Sequence, residues 1–527
     1  MENSEYWLER VEQNAVKEFQ YSQQKAQLVT RWFKRSTREM QHKINDFYQR
    51  YAEKESITLQ QAKTVLSDRD TVKVTLQEAQ ALAQKYPMDG ELQKLLNKTS
   101  VSRAISRQEF LILQLNMLAT ELYGEYSTEA GQSLTKIFEE VYYKTIFDYQ
   151  QFIGYGSSFN RISTHQIQAA TSTAWKGKNY SERIWGEHRV SLARYLNRVV
   201  TSGVIQGSSN RKMVDDLQHA MEMSAYQARR LIRTEHSQVS SKANLLAYQE
   251  NDTPRFQFRA VFDFKTSEIC RDMDGRIFPV SDGKAGINMP PLHPFCRSKT
   301  VPYISDDEFD ADNTRIARNG KGETYKVPAN MTYREWYDKY VKGNLDEQLA
   351  EQKYKNGTVD AQQYEKYKST LGEDAPKSFD DFQNIKYTDD ERSRYLQLDY
   401  KRRSRLARQP ELALPNADNA AAAPEKFSRY LFGGNNPDGL AKGAAFSSRL
   451  GYTADNWQKL RAEIVKKGAQ YPVRAKRLDE HGQRYEQKIV LNGLKETPAN
   501  VVVGWISKDG QTKLTSAYIK EADYHED

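Results

Sequence analysis

Between residues 256 and 264 large apolar side chains recur at every second position: Phe256, Phe258, Ala260, Phe262 and Phe264 are separated by Gln257, Arg259, Val261 and Asp263. A period of two puts one set on one face, so the stretch predicts a half-buried strand. Asp274-Gly275 is a tight-turn pair leading into Arg276–Val280, and together these predict a small antiparallel sheet. The chain before it keeps a different period. Leu8, Val11, Ala15 and Phe19 fall three or four residues apart, as one face of a helix requires. Further helical pieces fall at 26–33, 40–51 and 110–123, and the pattern continues from Leu134 to Glu250 with breaks at 154–158 and 203–209. Inside it, Trp175 and Trp185 flank a turn with Asn179 and Ser181 as capping residues. A long helix is predicted from about Ala225 to Tyr248, burying Leu231, Val239, Ala243 and Leu246, until Pro254 stops it.

Beyond Pro302 the chain turns polar. Residues 306–318 predict a loop or short helix, 331–341 a helix, and 346–408 exposed helices and turns. The run 410–424, with Ala420–Ala423 near its end, has linker composition. After it, Lys426–Phe432 predicts a short helix ended by Gly433-Gly434. A second helix carries Lys442, Phe446 and Leu450 up to Gly451, and a third, opened by Thr453 and Asp455, carries Trp457, Leu460 and Ile464. Strands are predicted at 483–491, 501–506 and 513–519, the last two joined by Asp509-Gly510. The fold class expected is α+β and multidomain. Residues 1–250 form a helical body, 251–345 a β-rich knot with its following helix, 346–424 a helical or extended linker, and 425–527 a separate C-terminal α+β domain.

A length of 527 residues suits several such units. Only 38% of the residues are hydrophobic, but 20 Phe, 32 Tyr and 7 Trp suffice for thin, elongated helical cores. The opening MENSEYWLERVEQNAV holds no apolar signal core, and no run of about 18 apolar residues occurs, so the expectation is a soluble chain made in a cytoplasm, with no membrane partner. Two cysteines exclude a disulfide scaffold. The net charge of +8 is thinly spread; its densest run, Lys401 to Arg408, reads as the solvated end of a helix before a nucleic-acid contact.

Both cysteines lie in the central knot. Cys270, His293 and Cys296 are three soft donors, and His-x-x-Cys sets two of them on one loop stiffened by Pro290, Pro291 and Pro294. Zinc takes four such donors, and a knot with little core gains folding energy from a metal. Asp263, Asp272, Ser267 or a water would supply the fourth position. Two other readings stand open: a pair of reduced buried thiols with a hydrogen-bonded His293, and a disulfide. His236, beside Glu235 on the long helix, reads as a packed residue, not as a catalytic one.

The pattern Asp263-x-Lys-Thr-Ser-x-x-Cys270, Asp274-Gly275 and Asn288-x-Pro-Pro-x-His293-Pro-x-Cys296-Arg297 resembles the core of the Mu F-like minor head proteins of tailed phages. The resemblance extends back through 175–185 and Arg233-Thr234-Glu235, and forward through Val327-Pro328-Ala329 and Tyr333-Arg334-Glu335-Trp336. It implies a minor capsid protein inside the virion head, made in the host cytoplasm and acting in head morphogenesis near the portal. The partners implied are the portal protein, the major capsid or scaffolding protein, and phage DNA with which it would be ejected. Some members carry cysteines where this chain has Ser267 and Ser298.

The C-terminal segment, through Tyr430-Leu431-Phe432, Asn436–Lys442, Ala445-Phe446, Leu450-Gly451, His481–Tyr485 and Trp505, resembles a small uncharacterised domain of phage and polymorphic-toxin proteins. Its helices-then-sheet order is also that of barnase-like RNase toxins, an analogy of fold alone. Metal-independent RNA cleavage would need an acid or base, a cation for the phosphate and a hydroxyl, for which Lys442, His481, Arg484 and Thr515 are the candidates. The alternative function is thus a virion-delivered effector with an RNase-like tail.

Overall fold

The structure, a computed structural model, describes residues 2–54, 71–72, 76–100, 105–154, 156, 159–175, 177–205, 210–303, 314–495 and 497–524. Part of the expected break at 203–209 and most of the segment 306–318 lie outside these. The chain divides into two compact units, 1–347 and 348–527.

In the first unit three long helices, α1 (Glu2–Lys54), α4 (Arg107–Ile153) and α8 (Asn210–Glu250), pack along one another. Shorter helices surround them: α2 (Gln77–Lys85), α3 (Gly90–Ser100), α5 (Thr164–Ser172), α6 (Tyr180–Arg183) and α7 (Arg189–Ile205). Val29, Phe33, Met40, Ile44 and Tyr48 of α1 recur at helical spacing and bury against Leu115, Leu122 and Tyr126 of α4 and Leu217 and Met221 of α8. Ser106 and Glu109 cap each other's orphan amides at the start of α4, and Asn179 and Glu182 do the same for α6. A fully buried charge in this body, Arg189, is satisfied from several sides. Arg189 meets Asp89 at 2.8 Å and Asn116 at 3.1 Å, and Thr120 donates to Asp89 at 2.7 Å.

The knot follows α8. Strand β1 (Arg255–Arg259) is the centre of a three-stranded antiparallel sheet, between β2 (Ile277–Pro279) and β3 (Lys299–Tyr303). The alternation read from the sequence holds for burial: Phe256, Phe258, Ala260, Phe262 and Phe264 are all buried. The ladder stops at Arg259, however. Phe262 makes a lone bridge to Ala317 and stacks on Trp336, and Phe264 also lies against Trp336. Helix α9 (Glu268–Met273) crosses between β1 and β2. The loop or short helix expected up to Arg318 is corrected: β4 (Thr314–Arg318) pairs with β5 (Thr324–Pro328) as a hairpin. Its inward positions are Arg315 and Ala317, and a buried arginine hides the apolar alternation. Helix α10 (Tyr333–Trp336) closes the knot, with Thr332 and Glu335 as its capping box.

The second unit is α+β. Helices α11 (Leu345–Leu371, all but its first turn in this unit), α12 (Phe379–Thr388) and α13 (Asp390–Arg408) are not merely exposed, as expected. Tyr364, Tyr367, Leu371 and Phe382 form a core of their own, and buried Asp360 gathers Gln383, Lys386 and Tyr387 at 2.9, 2.7 and 2.8 Å. The linker expected at 410–424 is corrected too. Ala421 exchanges backbone hydrogen bonds of 2.8 Å with Thr512 and Leu514, and Leu414, Ala420 and Ala422 are buried in the domain core. Helix α14 (Pro437–Leu450) starts at Asn436, whose side chain accepts from Gly439 N, and ends at left-handed Gly451. Helix α15 (Trp457–Gly468) leads into a four-stranded meander: β6 (Val473–Asp479), β7 (Gly482–Leu491), β8 (Ala499–Lys508) and β9 (Gln511–Ile519). Ile489, Leu491, Val501, Val503, Trp505 and Leu514 pack on Phe446, Leu450, Leu460 and Ile464. On the other face Val490 meets Tyr395 and Leu398 of α13. The β8–β9 register slips beside Gly504, leaving Thr515 as the extra residue of a bulge. A Cβ on Gly504 would come within 2.6 Å of Thr515 Oγ1 and 2.7 Å of Ser516 Oγ, so a side chain there would force both hydroxyls to turn away.

Candidate metal centre

Two chain segments bring the expected donors together. Cys270 stands on α9, where its N–H bonds Ser267 O at 3.0 Å, and His293 and Cys296 sit on the proline-rich loop, where Cys296 N bonds His293 O at 3.2 Å. Between them Phe295 holds a left-handed φ of 62°, a conformation that costs a non-glycine residue of the order of 1 kcal/mol. It is held there from α8. Phe295 N donates to Thr234 Oγ1 at 3.2 Å, the Arg233 guanidinium covers its ring at 4.8 Å, and Tyr226 meets it edge-on.

Cys270 Sγ lies 3.3 Å from His293 Nε2 and 3.6 Å from Cys296 Sγ, and the three donor atoms all lie within 4.8 Å of one another. The sulfurs are too far apart for a disulfide bond, which needs about 2.05 Å, and both cysteines are free and buried. Phe258, Ala260 and Leu292 pack against them. His293 Nδ1 sits 2.8 Å from the Pro294 carbonyl, which can only accept. Nδ1 therefore carries the proton, and the Nε2 lone pair faces the sulfurs. The thiols titrate as a pair. Hydrogen bonding to Cys270 pushes the Cys296 thiol well down, and the same contact pushes Cys270 up, so the first proton leaves readily and the second is held. His293 is raised by its bond to Cys296. The hydroxyls of Ser267 and Ser298 lie beside Cys270 and favour its thiolate.

Asp263, expected as a fourth donor, is placed elsewhere. Both its oxygens are taken by Arg297 at 2.6 Å, and Lys265 N donates to it at 2.9 Å. Asp272 is exposed. The acidic residue that organises the knot is Asp274, read from the sequence only as half of a turn. Fully buried, it accepts from Ala260 N at 2.6 Å, from Tyr333 N at 2.8 Å and from both terminal nitrogens of Arg315 at 3.1 and 3.2 Å. Arg315 lies 41 residues away in a segment read as a loop, and nothing local announces the pairing. His236 is packed, as expected: Nε2 lies 2.9 Å from Ser133 Oγ and burial pushes its pKa down to about 3. Its neighbour Glu235 bonds Arg183 at 2.6 Å and is pushed up to about 7, chiefly by burial.

In the second unit the four residues named for RNA chemistry do not form one site. Arg484 and Thr515 line a shallow concavity on the sheet with Lys476, Arg477, Ser516 and Tyr518. Lys442 lies over the rings of Tyr430 and Tyr518 at 5.5 and 5.7 Å. His481 stands outside it in the β6–β7 turn, its side chain exposed, 3.6 Å from Glu480. The Arg484 Nε bonds Asp479 at 2.7 Å.

The sequence of most of α7, of α8 and of the knot as far as β3 matches a known family. Residues 195–301 match the family described as Phage Mu protein F like protein, so the middle of the chain is similar to a Mu F-like phage protein. The match takes in Thr234, Asp274, Cys270, His293 and Cys296. Residues 413–521 match a second family, described as Domain of unknown function (DUF6883), which spans the residues from Leu414 through the meander. No curated protein and no solved structure matches the chain. No helix among the described residues is long and apolar enough to cross a membrane.

Proposed function

We propose that this chain is a minor head protein of a tailed phage, placed inside the virion near the portal and acting in head morphogenesis. The observation that carries the reading is the Mu F-like match at 195–301 lying on a closed structural knot. The buried groups of that knot are engaged with one another: Asp274 with Arg315, Asp263 with Arg297, Phe295 with Thr234. Such an arrangement holds a shape, as an assembly protein needs, and the long helices beside it offer extended surface to the portal, capsid or scaffolding proteins. Cross-linking of purified heads followed by mass spectrometry tests the placement. Cross-links from the first unit to the portal protein are expected. Cross-links to the major capsid protein alone would overturn the portal-proximal position.

A second reading concerns the tail. The sheet concavity groups Lys476, Arg477, Arg484 and Thr515 beside Glu486, with Lys442 over Tyr518 at its border, and we infer a phosphate-bearing ligand there; an RNase-like effector carried by the head would use these residues without His481, which stands outside the concavity. Expression of residues 348–527 in bacteria, beside Lys442→Ala and Arg484→Ala forms, tests it. Growth arrest with cleaved RNA, relieved by either change, is expected. Intact RNA from the folded unit would remove the reading.

A further inference from the structure

Two thiols and an imidazole, contributed by α9 and by the proline-rich loop, converge on one point backed by Phe258, Ala260 and Leu292. Zinc–sulfur bonds of about 2.3 Å and zinc–nitrogen bonds of about 2.0 Å at tetrahedral angles set the donors about 3.8 Å (S···S) and about 3.5 Å (S···N) apart. The observed separations are 3.6 and 3.3 Å, a small expansion short of that. The ring is already in the tautomer a metal needs. Nδ1–H is spent on the Pro294 carbonyl and Nε2 is turned inward, the outer hydrogen bond that orients histidine ligands at metal sites. One more group is in place. The Ser267 oxygen, at the N-cap of α9, is buried beside the Cys270 thiol and has no partner outside the cluster.

We propose that Cys270, His293 and Cys296 bind one zinc ion, with an oxygen donor from Ser267 or a water beside it completing the tetrahedron. The ion ties the α9 segment to the loop that docks through Phe295 on Thr234 of α8, so it fastens the knot to the helical body. The site is structural. Asp263, the carboxylate named for a fourth position, is saturated by Arg297, and among the described residues no His, Cys, Asp or Glu other than the ligands themselves stands within the donor cluster. Binding forms two metal–sulfur bonds and one metal–nitrogen bond, and releases to solvent the thiol protons that the free site holds. The inference does not depend on the head-protein reading.

The test uses the full chain, purified without chelator, and measures metal by plasma emission. About one zinc per chain is expected, retained through desalting. It should be lost in Cys270→Ser, Cys296→Ser and His293→Ala. Because a cysteine variant can fail to fold, the unchanged chain is also stripped and loaded with cobalt(II). A thiolate-to-cobalt charge-transfer band with tetrahedral ligand-field bands is expected, and zinc should displace both. Ser267→Cys should hold zinc more tightly against a competing chelator. A chain that carries no zinc after loading and shows no thiolate band overturns the proposal. So does zinc that survives all three ligand substitutions.

Discussion

The Arg315 guanidinium embraces the buried carboxylate of Asp274 through both terminal nitrogens, at 3.1 and 3.2 Å, while its Nη2 also reaches the Ala260 carbonyl at 2.6 Å. One ion pair thereby joins the β4 strand, the turn after α9 and the end of the β1 segment. Arg315→Leu leaves a carboxylate buried without its cation, and should cost about 3–5 kcal/mol. Replacing both, Asp274→Leu with Arg315→Leu, should cost less than the single change. Hydrogen exchange over 255–336 measures this; equal protection in the single variant and the parent chain would contradict it.

Phe295 gives a second prediction. Its left-handed φ penalises any side chain, so Phe295→Gly should be more stable than Phe295→Ala by about 1 kcal/mol, the reverse of the usual order. Both lose the ring that Arg233 covers. Thr234→Val, which strands the Phe295 amide, should cost about 1–3 kcal/mol. Urea unfolding midpoints decide each comparison.

The buried pair Glu235 and His236 gives opposite pH slopes. His236 falls from its ordinary 6.5 to about 3 on folding, so the unfolded chain takes up the proton first, and stability is lost as pH falls from 6.5 to 3. Glu235 rises from 4.5 to about 7, so the folded chain keeps a proton the unfolded chain releases, and stability is lost as pH rises from 4.5 to 7. The two cancel between 4.5 and 6.5. Below 4.5 the His236 slope stands alone, at roughly 1.4 kcal/mol per pH unit. The parent-minus-His236→Gln stability difference should therefore climb from pH 3 to 6.5 and then level. A flat difference would show that His236 is not buried neutral.

The boundary of the second unit is testable by truncation. Residues 348–527 should unfold in one cooperative step. Residues 425–527 lose Leu414, Ala420 and Ala422 from the core, the bonds of Ala421 to β9, and the cover of Tyr395 and Leu398 over Val490. That shorter fragment should show no cooperative transition by circular dichroism.

What the sequence revealed follows from how local each signal is. The alternation at 256–264, the helix stop at Gly451 and the His293-x-x-Cys296 pair rest on short spacings and were legible. Strand β6 was not, because Val473-Arg-Ala-Lys-Arg-Leu-Asp479 is an edge strand whose middle positions are all exposed, with no apolar face to betray it. The run 410–424 reads as linker because its contribution is a backbone pairing of Ala421, to which composition is blind. Asp263 was drawn towards the metal by its chemistry, while its partner Arg297 lay 34 residues off. Pairings of that range belong to the fold.

Quantitative peptide mass spectrometry of purified, DNA-filled heads of the encoding phage tests the central claim most directly. Peptides from both the 1–347 and 348–527 units are expected, in equal amounts and far fewer copies than the major capsid protein. Heads of full infectivity that contain neither would contradict it.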